Sequence, residues 1–242
     1  MSPIDTASDE AAQQPLRAMI YGETGSGKTF SLRTLPEDFF PVLMLDFDRN
    51  SEALNGAFPP GAFFIEPIED FKLLGSKRKP TGYKQAKDVI TAVVNESLDF
   101  APRTIIIDSV TRLYESIMDH GLDSSSRGED APPQLQDYGT AARLMVLFLR
   151  VCIQTGCNLI FLAHEKAYAN EVTGIEKGVP ALTGQLGDIV PRYFQEILHA
   201  KATGSGDKRK WMWDTAPMGK FVARTTRGLP AQVEPDFKVY SR

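Results

Sequence analysis

Short, continuous apolar runs alternate along the chain with longer segments in which apolar residues recur every three or four positions. The apolar runs are residues 18–21, 42–45, 62–65, 105–107 and 159–163. Continuous runs of this length are typical of strands buried on both faces of a parallel sheet, whereas the recurring spacing predicts amphipathic helices. Strands that alternate with helices predict an α/β fold with a mostly parallel central sheet flanked by helices. Active groups are then expected at the carboxyl ends of the strands.

The C-terminal part of the chain departs from this alternation. Its shorter apolar and polar stretches predict strands at Phe194–Ala200, Lys210–Asp214 and Lys220–Thr225, joined as antiparallel hairpins at the sheet edge. Trp211 and Trp213 share one face of the second strand, and core packing is the expected role of both. We expect one domain over residues 16–242, preceded by a disordered tail over residues 1–15, which is polar and acidic.

Two segments rich in Gly, Pro and polar residues interrupt the pattern, at His120–Gln134 and Glu165–Gly184. Loops of this length inside a compact domain usually carry function or disorder. A third segment, between the runs 62–65 and 105–107, is basic, and a solvated loop and helix face is its expected structure. Its basic residues are Lys72, Lys77, Arg78, Lys79, Lys84 and Lys87.

Composition narrows the possible functions. The chain has 242 residues and a net charge of −4, so any nucleic-acid contact must come from local basic segments and not from a global field. Cys152 and Cys157 lie in an apolar stretch, which indicates reduced core thiols in a cytoplasmic protein. No apolar run approaches the roughly 18 residues of a membrane span, so no membrane contact is expected.

One motif carries clear chemistry. Residues 22–29 match the phosphate-binding P-loop pattern and directly follow the first apolar run. The glycines let backbone N–H groups face the phosphates, the lysine neutralises the β and γ oxygens, and the threonine offers a hydroxyl to Mg²⁺. ATP and Mg²⁺ are therefore the predicted ligands. The motif consists of Gly22, Glu23, Thr24, Gly25, Ser26, Gly27, Lys28 and Thr29.

Four acidic or imidazole side chains lie at the ends of other predicted strands. Asp108 comes after three isoleucines, where its carboxylate would hold Mg²⁺ together with Thr29. Asp46 and Asp48 end the second strand and are candidates to polarise the attacking water, although Asp46 also suits a local hydrogen bond. His164 follows the run 159–163, from where it would contact a γ-phosphate or serve a structural role.

The order of these pieces resembles the RecA and RadA family of recombinase ATPases from about Arg17 to the C-terminus. Ile105–Val110 looks like the family's Asp-Ser strand, and Gly139–Arg143 is similar to the Gly-x-Ala-Ala-Arg that opens its next helix. The resemblance implies a P-loop NTPase with a RecA-like core. It places Asp48 where the family has its catalytic Glu and His164 where it has a Gln that senses the γ-phosphate.

The same resemblance implies further contacts. The family's two DNA-binding loops correspond to His120–Gln134 and Lys166–Gly184. Basic and aromatic side chains are the groups that hold single strands in such loops. Phe221–Arg227 corresponds to a segment that reaches the nucleotide of the neighbouring subunit, so Arg224 and Arg227 are expected to stabilise charge there. The expected DNA contacts are Arg127, Lys166, Tyr168 and Lys177, with 208–211 as a further basic stretch.

The short length and the missing accessory domains resemble the compact Sak-type ATPases of bacteriophages. This resemblance implies an ATP-dependent protein that binds single-stranded DNA and aids recombination or annealing as a ring or filament. A homo-oligomer, single-stranded DNA and a single-strand binding protein are then the expected partners. Two alternatives remain: a RecA-like motor or accessory module that drives a replication partner, and a small-molecule kinase.

Overall fold

A computed structural model of the protein describes residues 14–75, 77–125, 131–169, 176–184 and 186–241. Of the predicted N-terminal tail, residues 1–13 lie outside the described part. The strands are β1 (Arg17–Gly22), β2 (Val42–Asp46), β3 (Phe63–Pro67), β4 (Phe71–Leu74), β5 (Lys77–Pro80), β6 (Thr104–Asp108), β7 (Asn158–Ala169), β8 (Glu176–Pro180), β9 (Glu196–Thr203), β10 (Lys210–Asp214) and β11 (Gln232–Val233).

Five α-helices and six short 3₁₀ helices connect the described strands. The α-helices are α1 (Lys28–Ser31), α2 (Gly82–Val94), α3 (Val110–Asp123), α4 (Leu135–Gln154) and α5 (Leu186–Ile189). The 3₁₀ helices are Leu32–Thr34, Glu37–Phe39, Ser51–Leu54, Val190–Tyr193, Gly206–Lys208 and Phe237–Tyr240. Gly156 has a φ of 73°, the left-handed conformation expected of a glycine just after a helix, as the sequence pattern predicted.

The described strands build a nine-stranded sheet in the order β11-β10-β9-β1-β7-β6-β2-β3, with β8 paired to β7. From β9 to β3 all neighbours are parallel, whereas β10 and β11 add an antiparallel edge. The predicted fold class is therefore confirmed: an α/β fold with a mostly parallel central sheet flanked by helices and a C-terminal antiparallel extension.

Both faces of the central strands are buried, which explains why β1, β2 and β6 contain continuous apolar runs. Successive side chains point to opposite faces, so Met19 and Ile20 enter different cores. On the first face, helices α2, α3 and α4 contribute Ile90, Leu113 and Met145. On the second face, the segment after the P-loop and the C-terminal turn contribute Leu32, Phe237 and Tyr240.

Two of the predicted loops are shorter than expected. Helix α3 continues to Asp123, and residues 126–130 of the first loop lie outside the described part. Strand β7 runs on to Ala169 and pairs antiparallel with β8 from Glu165–Pro180 to Ala169–Glu176. The described part of the second predicted flexible segment is thus mainly a β-hairpin. The prediction differs from the structure because β7 pairs with β8 through backbone hydrogen bonds beyond the main sheet. Apolar periodicity does not reveal such pairing.

The C-terminal strand prediction was partly wrong. Residues 220–225 form isolated bridges instead of a regular strand, with Phe221 beside Gly178 and Arg224 beside Ile197. Strand β10 ends at Asp214 opposite His199, so the amino end of β9 is left for Arg224 to pair with, while Phe221 pairs with β8. In the described part of the chain, no helix is long and apolar enough to cross a membrane.

Candidate functional site

The P-loop leaves the carboxyl end of β1, between β7 and β9. A Cβ atom on Gly22 would lie 2.1 Å from the carbonyl oxygen of Ala200, so the turn needs a glycine there. Gly27 has a φ of 85°, a conformation that also favours glycine. The loop and the strand ends of β7 and β6 therefore meet at one edge of the sheet, as the parallel order requires.

Lys28 lies inside the loop and is nearly buried. Its Nζ donates to the carbonyl oxygens of Gly22 and Glu23, both at 2.9 Å. Burial lowers the pKa of Lys28, and the nearby carboxylates of Asp108 and Asp48 oppose this shift. The ammonium group is thus held where the P-loop pattern requires a positive charge for the β and γ oxygens.

Thr29 and Asp108 are joined across the site. The Thr29 hydroxyl donates to Oδ2 of Asp108 at 2.7 Å. Burial raises the pKa of Asp108 to about 6, the Thr29 hydrogen bond lowers it, and Asp48 and Asp46 raise it further. Asp46 is the register partner of Asp108 on β2. Its buried Oδ1 has no hydrogen-bond partner among the described residues.

These groups suit a divalent cation. A buried carboxylate oxygen without a partner, beside a second buried carboxylate and a hydroxyl, forms a set of hard oxygen donors of the kind Mg²⁺ prefers. Thr29 and Asp108 would hold the ion, with Asp46 behind them. Bound there, Mg²⁺ neutralises charge that develops on the β- and γ-phosphate oxygens.

Asp48 and His164, the two predicted departures from the RecA pattern, contact each other. His164 Nε2 lies 3.1 Å from Oδ2 of Asp48, and the Ser109 hydroxyl donates to Oδ1 at 2.9 Å. Burial raises the pKa of Asp48, but the hydrogen bonds from His164 and Ser109 outweigh it, so the net shift is downward. The pKa of His164 is raised, chiefly by its hydrogen bond to Asp48.

The pair therefore favours an ionised carboxylate beside a protonated imidazole in the middle of β7. The Thr111 hydroxyl accepts a hydrogen bond from the backbone N–H of His164 at 3.2 Å, which ties β7 to the start of α3. The charge of Lys28 acts on both members of the pair. An ionised carboxylate can accept a hydrogen bond from water, and a protonated imidazole can donate one to an anion.

The structure does not bring Arg224 and Arg227 to the P-loop of their own chain. Arg224 pairs with Ile197, which lies opposite Met19, three residues before the P-loop begins. Its Nη2 donates to the carbonyl oxygens of Phe194 and Pro191. The guanidinium of Arg227 lies over the ring of Tyr240, 5.8 Å from its centre. Both side chains are exposed on the outer side of β9.

The residues predicted to contact DNA differ in exposure and in hydrogen bonding. Arg127 lies outside the described residues. Lys166 is turned inward, where its Nζ donates to the carbonyl oxygen of Leu182 and burial lowers its pKa. Tyr168 and Lys177 are backbone partners in the β7–β8 hairpin, and Lys177 is exposed.

Trp211 has a different role from the predicted one. Trp213 is 1% exposed in the core, but Trp211 is 42% exposed and lies on the P-loop. Its Nε1 donates to the carbonyl oxygen of Gly25 at 3.3 Å, and Arg209 donates to the same oxygen at 3.1 Å. Alternation along β10 correctly predicted that the two tryptophans share a face. It could not predict that Trp211 contacts the P-loop, because that contact depends on the position of β10 beside β9.

A buried polar chain behind the P-loop was not found from the sequence. His199 lies between two carboxylates, with Nε2 3.0 Å from Glu165 and Nδ1 2.9 Å from Asp214. Its ring stacks on Phe221 at 3.8 Å. These contacts join β7, β9 and β10. A cavity of about 210 Å³ separates them from the P-loop side chains Glu23, Thr24 and Ser26.

A P-loop whose lysine and threonine face a buried aspartate, at the carboxyl edge of a parallel α/β sheet, defines a P-loop ATPase. The family model described as an AAA domain, AAA_24, matches residues 14–227 of this chain. The chain therefore belongs to this AAA domain family.

Solved structures also resemble the chain. One is a KaiC-like protein from the hyperthermophilic archaeon Pyrococcus horikoshii, with 11% sequence identity and a TM-score of 0.46. The alignment covers 81% of this chain and 76% of that protein. Among curated proteins, no significant match was found.

Proposed function

We propose that this ATPase binds single-stranded DNA and couples ATP hydrolysis at a subunit interface to recombination or annealing, in the manner of compact phage annealing ATPases. The observation that carries the hydrolytic part is the convergence of Lys28, Asp48 and His164 beside the Thr29–Asp108 pair. The DNA part draws on the resemblance to RecA and RadA proteins, whose DNA-binding loops correspond to the segment that leads into α4 and to the segment that contains the β7–β8 hairpin.

In this proposal, hydrolysis proceeds mainly by positioning and charge stabilisation, as phosphoryl transfer requires. Lys28 binds the β and γ oxygens, and Asp48 accepts a hydrogen bond from the attacking water. Because the hydrogen bonds from His164 and Ser109 lower its pKa, Asp48 is a weak base and acts chiefly by orienting that water. His164 donates toward the γ-phosphate when its ring is protonated.

Loss of the γ-phosphate would then change the position of the β7–β8 hairpin. His164 belongs to the same strand as the outer residues of this hairpin, and its neighbour Glu165 already pairs with Pro180. A change at His164 thus has a direct covalent path to the segment that corresponds to the second DNA-binding loop.

The interface part of the proposal rests on Arg224 and Arg227. Both are exposed, and Arg224 lies on the far side of β9 from its own P-loop, toward the amino end of that strand. A side chain at that position reaches a nucleotide only if the nucleotide belongs to another protomer. This geometry supports action between subunits.

The experiment is a steady-state ATPase measurement with and without single-stranded DNA, alongside DNA binding at low salt, where phosphate contacts are strongest. We expect turnover that rises with DNA and disappears in Lys28→Ala. ATP hydrolysis with no DNA binding and no stimulation would contradict the DNA part. Phosphate transfer to a small molecule would replace the proposal with a kinase.

A further inference from the structure

The basic segment after β3 folds into a separate two-stranded hairpin, β4–β5, which is not part of the main sheet. Its ten residues, 71–80, contain four basic side chains and no acidic one, in a chain whose net charge is −4. The positive charge is therefore concentrated locally. The hairpin lies outside both segments that correspond to the DNA-binding loops of recombinases.

Strand β4 is exposed along its whole length. The relative exposures are 43% for Phe71, 69% for Leu73 and 62% for Leu74. Large apolar side chains are normally buried when a strand ribbon packs on a protein core, and contiguous exposed ones indicate a binding surface. The outer strand of this ribbon thus presents apolar groups and positive charge together.

The register of the hairpin sets like charges against each other. Lys72 is directly opposite Lys79, and Leu73 is opposite Arg78. Like charges at directly opposed positions destabilise a strand pair. Glu69 lies 3.9 Å from Lys72, but both side chains are exposed, so this contact offsets only part of the charge. An anion bound between Lys72 and Lys79 removes the remaining repulsion, so this face of the ribbon is suited to a phosphate.

The opposite face of the ribbon suits bases. The guanidinium of Arg78 lies over the ring of Phe71, with Cζ 4.8 Å from the ring centre, and Leu73 occupies the same face by alternation. Flat aromatic and guanidinium groups stack with nucleobases, and basic groups follow the backbone. Base faces are accessible in single strands and not in a duplex, which selects the single strand as the occupant.

The base of the hairpin is attached to the ATP site. The backbone N–H of Ile68 donates to the carbonyl oxygen of Asp46 at 3.0 Å. Asp70 forms an ion pair with Arg112, whose backbone N–H donates to the Ser109 hydroxyl that in turn binds Asp48. A ligand that shifts the hairpin therefore acts on Asp46, the last residue of β2, and on Asp48, which follows it.

We propose that the β4–β5 hairpin is a single-stranded nucleic-acid contact, with Lys72 and Lys79 on the phosphates and the Phe71–Arg78 pair against the bases. This inference rests on the proposed function for its ligand and adds a site that the recombinase loops do not include. Through the contacts of Ile68 and Asp70, we expect DNA binding at the hairpin to change turnover.

The test compares Lys72→Ala/Lys79→Ala with the control Arg150→Ala/Lys238→Ala, which removes the same charge from exposed positions elsewhere. The probe is a fluorescein-labelled oligothymidylate, measured by anisotropy over a salt series with Mg-ATP present. We expect the hairpin variant to bind about tenfold more weakly and its salt slope to fall by about 1.4, since each lost phosphate contact contributes about 0.7. The control should keep both values.

Melting temperature and affinity for a fluorescent ATP analogue verify that the hairpin variant is folded. If the wild type binds the oligonucleotide and the hairpin variant binds equally well, the hairpin inference is overturned and the proposed function stands. If the wild type hydrolyses ATP but binds no oligonucleotide, the DNA part of the proposed function and the hairpin inference are both overturned. Binding to anionic phosphatidylserine vesicles in place of the oligonucleotide would likewise overturn the choice of ligand.

Discussion

The imidazole of His164 lies 3.1 Å from the carboxylate of Asp48, although 116 positions separate the two residues. The parallel order β7-β6-β2 brings them together, because Asp48 follows β2, His164 belongs to β7, and Ser109 follows the strand between them. The two side chains that depart from the RecA pattern thus form one hydrogen-bonded unit.

This unit predicts a pH-dependent contribution to stability. The pKa of His164 is raised, so the stability that its protonated ring adds is fully present below the ordinary histidine pKa of about 6.5 and is lost as pH rises through the raised value. The difference in melting temperature between the wild type and His164→Gln should therefore shrink from about pH 6 to about pH 9.

His120 provides the control, because burial lowers its pKa instead of raising it. The His120→Gln variant should show no such decline over the same range. A difference for His164→Gln that stays constant with pH would show that the contact with Asp48 does not depend on a protonated ring.

Asp108→Asn is predicted to stabilise the nucleotide-free protein while it removes Mg²⁺-dependent hydrolysis. Burial raises the pKa of Asp108 to about 6, so at higher pH the folded chain holds a buried charge that lowers its stability. The gain in melting temperature, measured with EDTA, should be largest at about pH 8 and vanish near the ordinary Asp pKa of about 3.9. The control Asp99→Asn, at an exposed position, should leave the melting temperature almost unchanged. A lower melting temperature for Asp108→Asn than for the wild type at about pH 8 would refute the prediction.

The two tryptophans of β10 are predicted to report on different properties. Trp213→Ala should lower the free energy of unfolding by about 3–5 kcal/mol, since it empties a core position. Trp211→Ala should lower it by about 1 kcal/mol or less, because that ring is partly exposed. Denaturant titration measures both.

Trp211 should also sense the nucleotide, because it contacts Gly25 in the phosphate-binding loop. ATP addition should change the tryptophan fluorescence of Trp213→Phe and leave that of Trp211→Phe almost unchanged. The reverse result would mean that the loop does not move against β10.

Arg224 is predicted to act between subunits. Arg224→Ala should lose turnover, and mixing it with Lys28→Ala should restore part of it, because one interface then combines an intact P-loop with an intact Arg224. A mixture with the double variant Lys28→Ala/Arg224→Ala is the control and should stay inactive. Absence of recovery in the first mixture would assign Arg224 to its own chain, where it binds the Phe194 carbonyl.

The local parts of this site could be predicted from the sequence. The P-loop is contiguous, and Asp108 follows a run of isoleucines, so neither depends on distant pairing. Asp48 and His164 were each recognisable at a strand end. Their mutual contact was not, because it depends on the order in which β2, β6 and β7 pair.

Features set by the C-terminal strands were harder to predict. The contact of Trp211 with the P-loop and the position of His199 between two carboxylates both require β9 to lie next to β1 and β10 next to β9. Alternation reports which residues share a face, but not which neighbour covers that face. The β4–β5 hairpin was missed because its exposed strand lacks a buried side to give an apolar pattern.

The most direct test of the account is ATP turnover by Asp48→Asn, measured beside ATP affinity and DNA stimulation. The amide keeps the shape of the side chain but loses the charge that orients water and pairs with His164. We predict that turnover falls about 100-fold, with or without single-stranded DNA, while ATP affinity stays within about twofold. Turnover equal to that of the wild type would contradict the central claim that the Asp48–His164 pair catalyses hydrolysis.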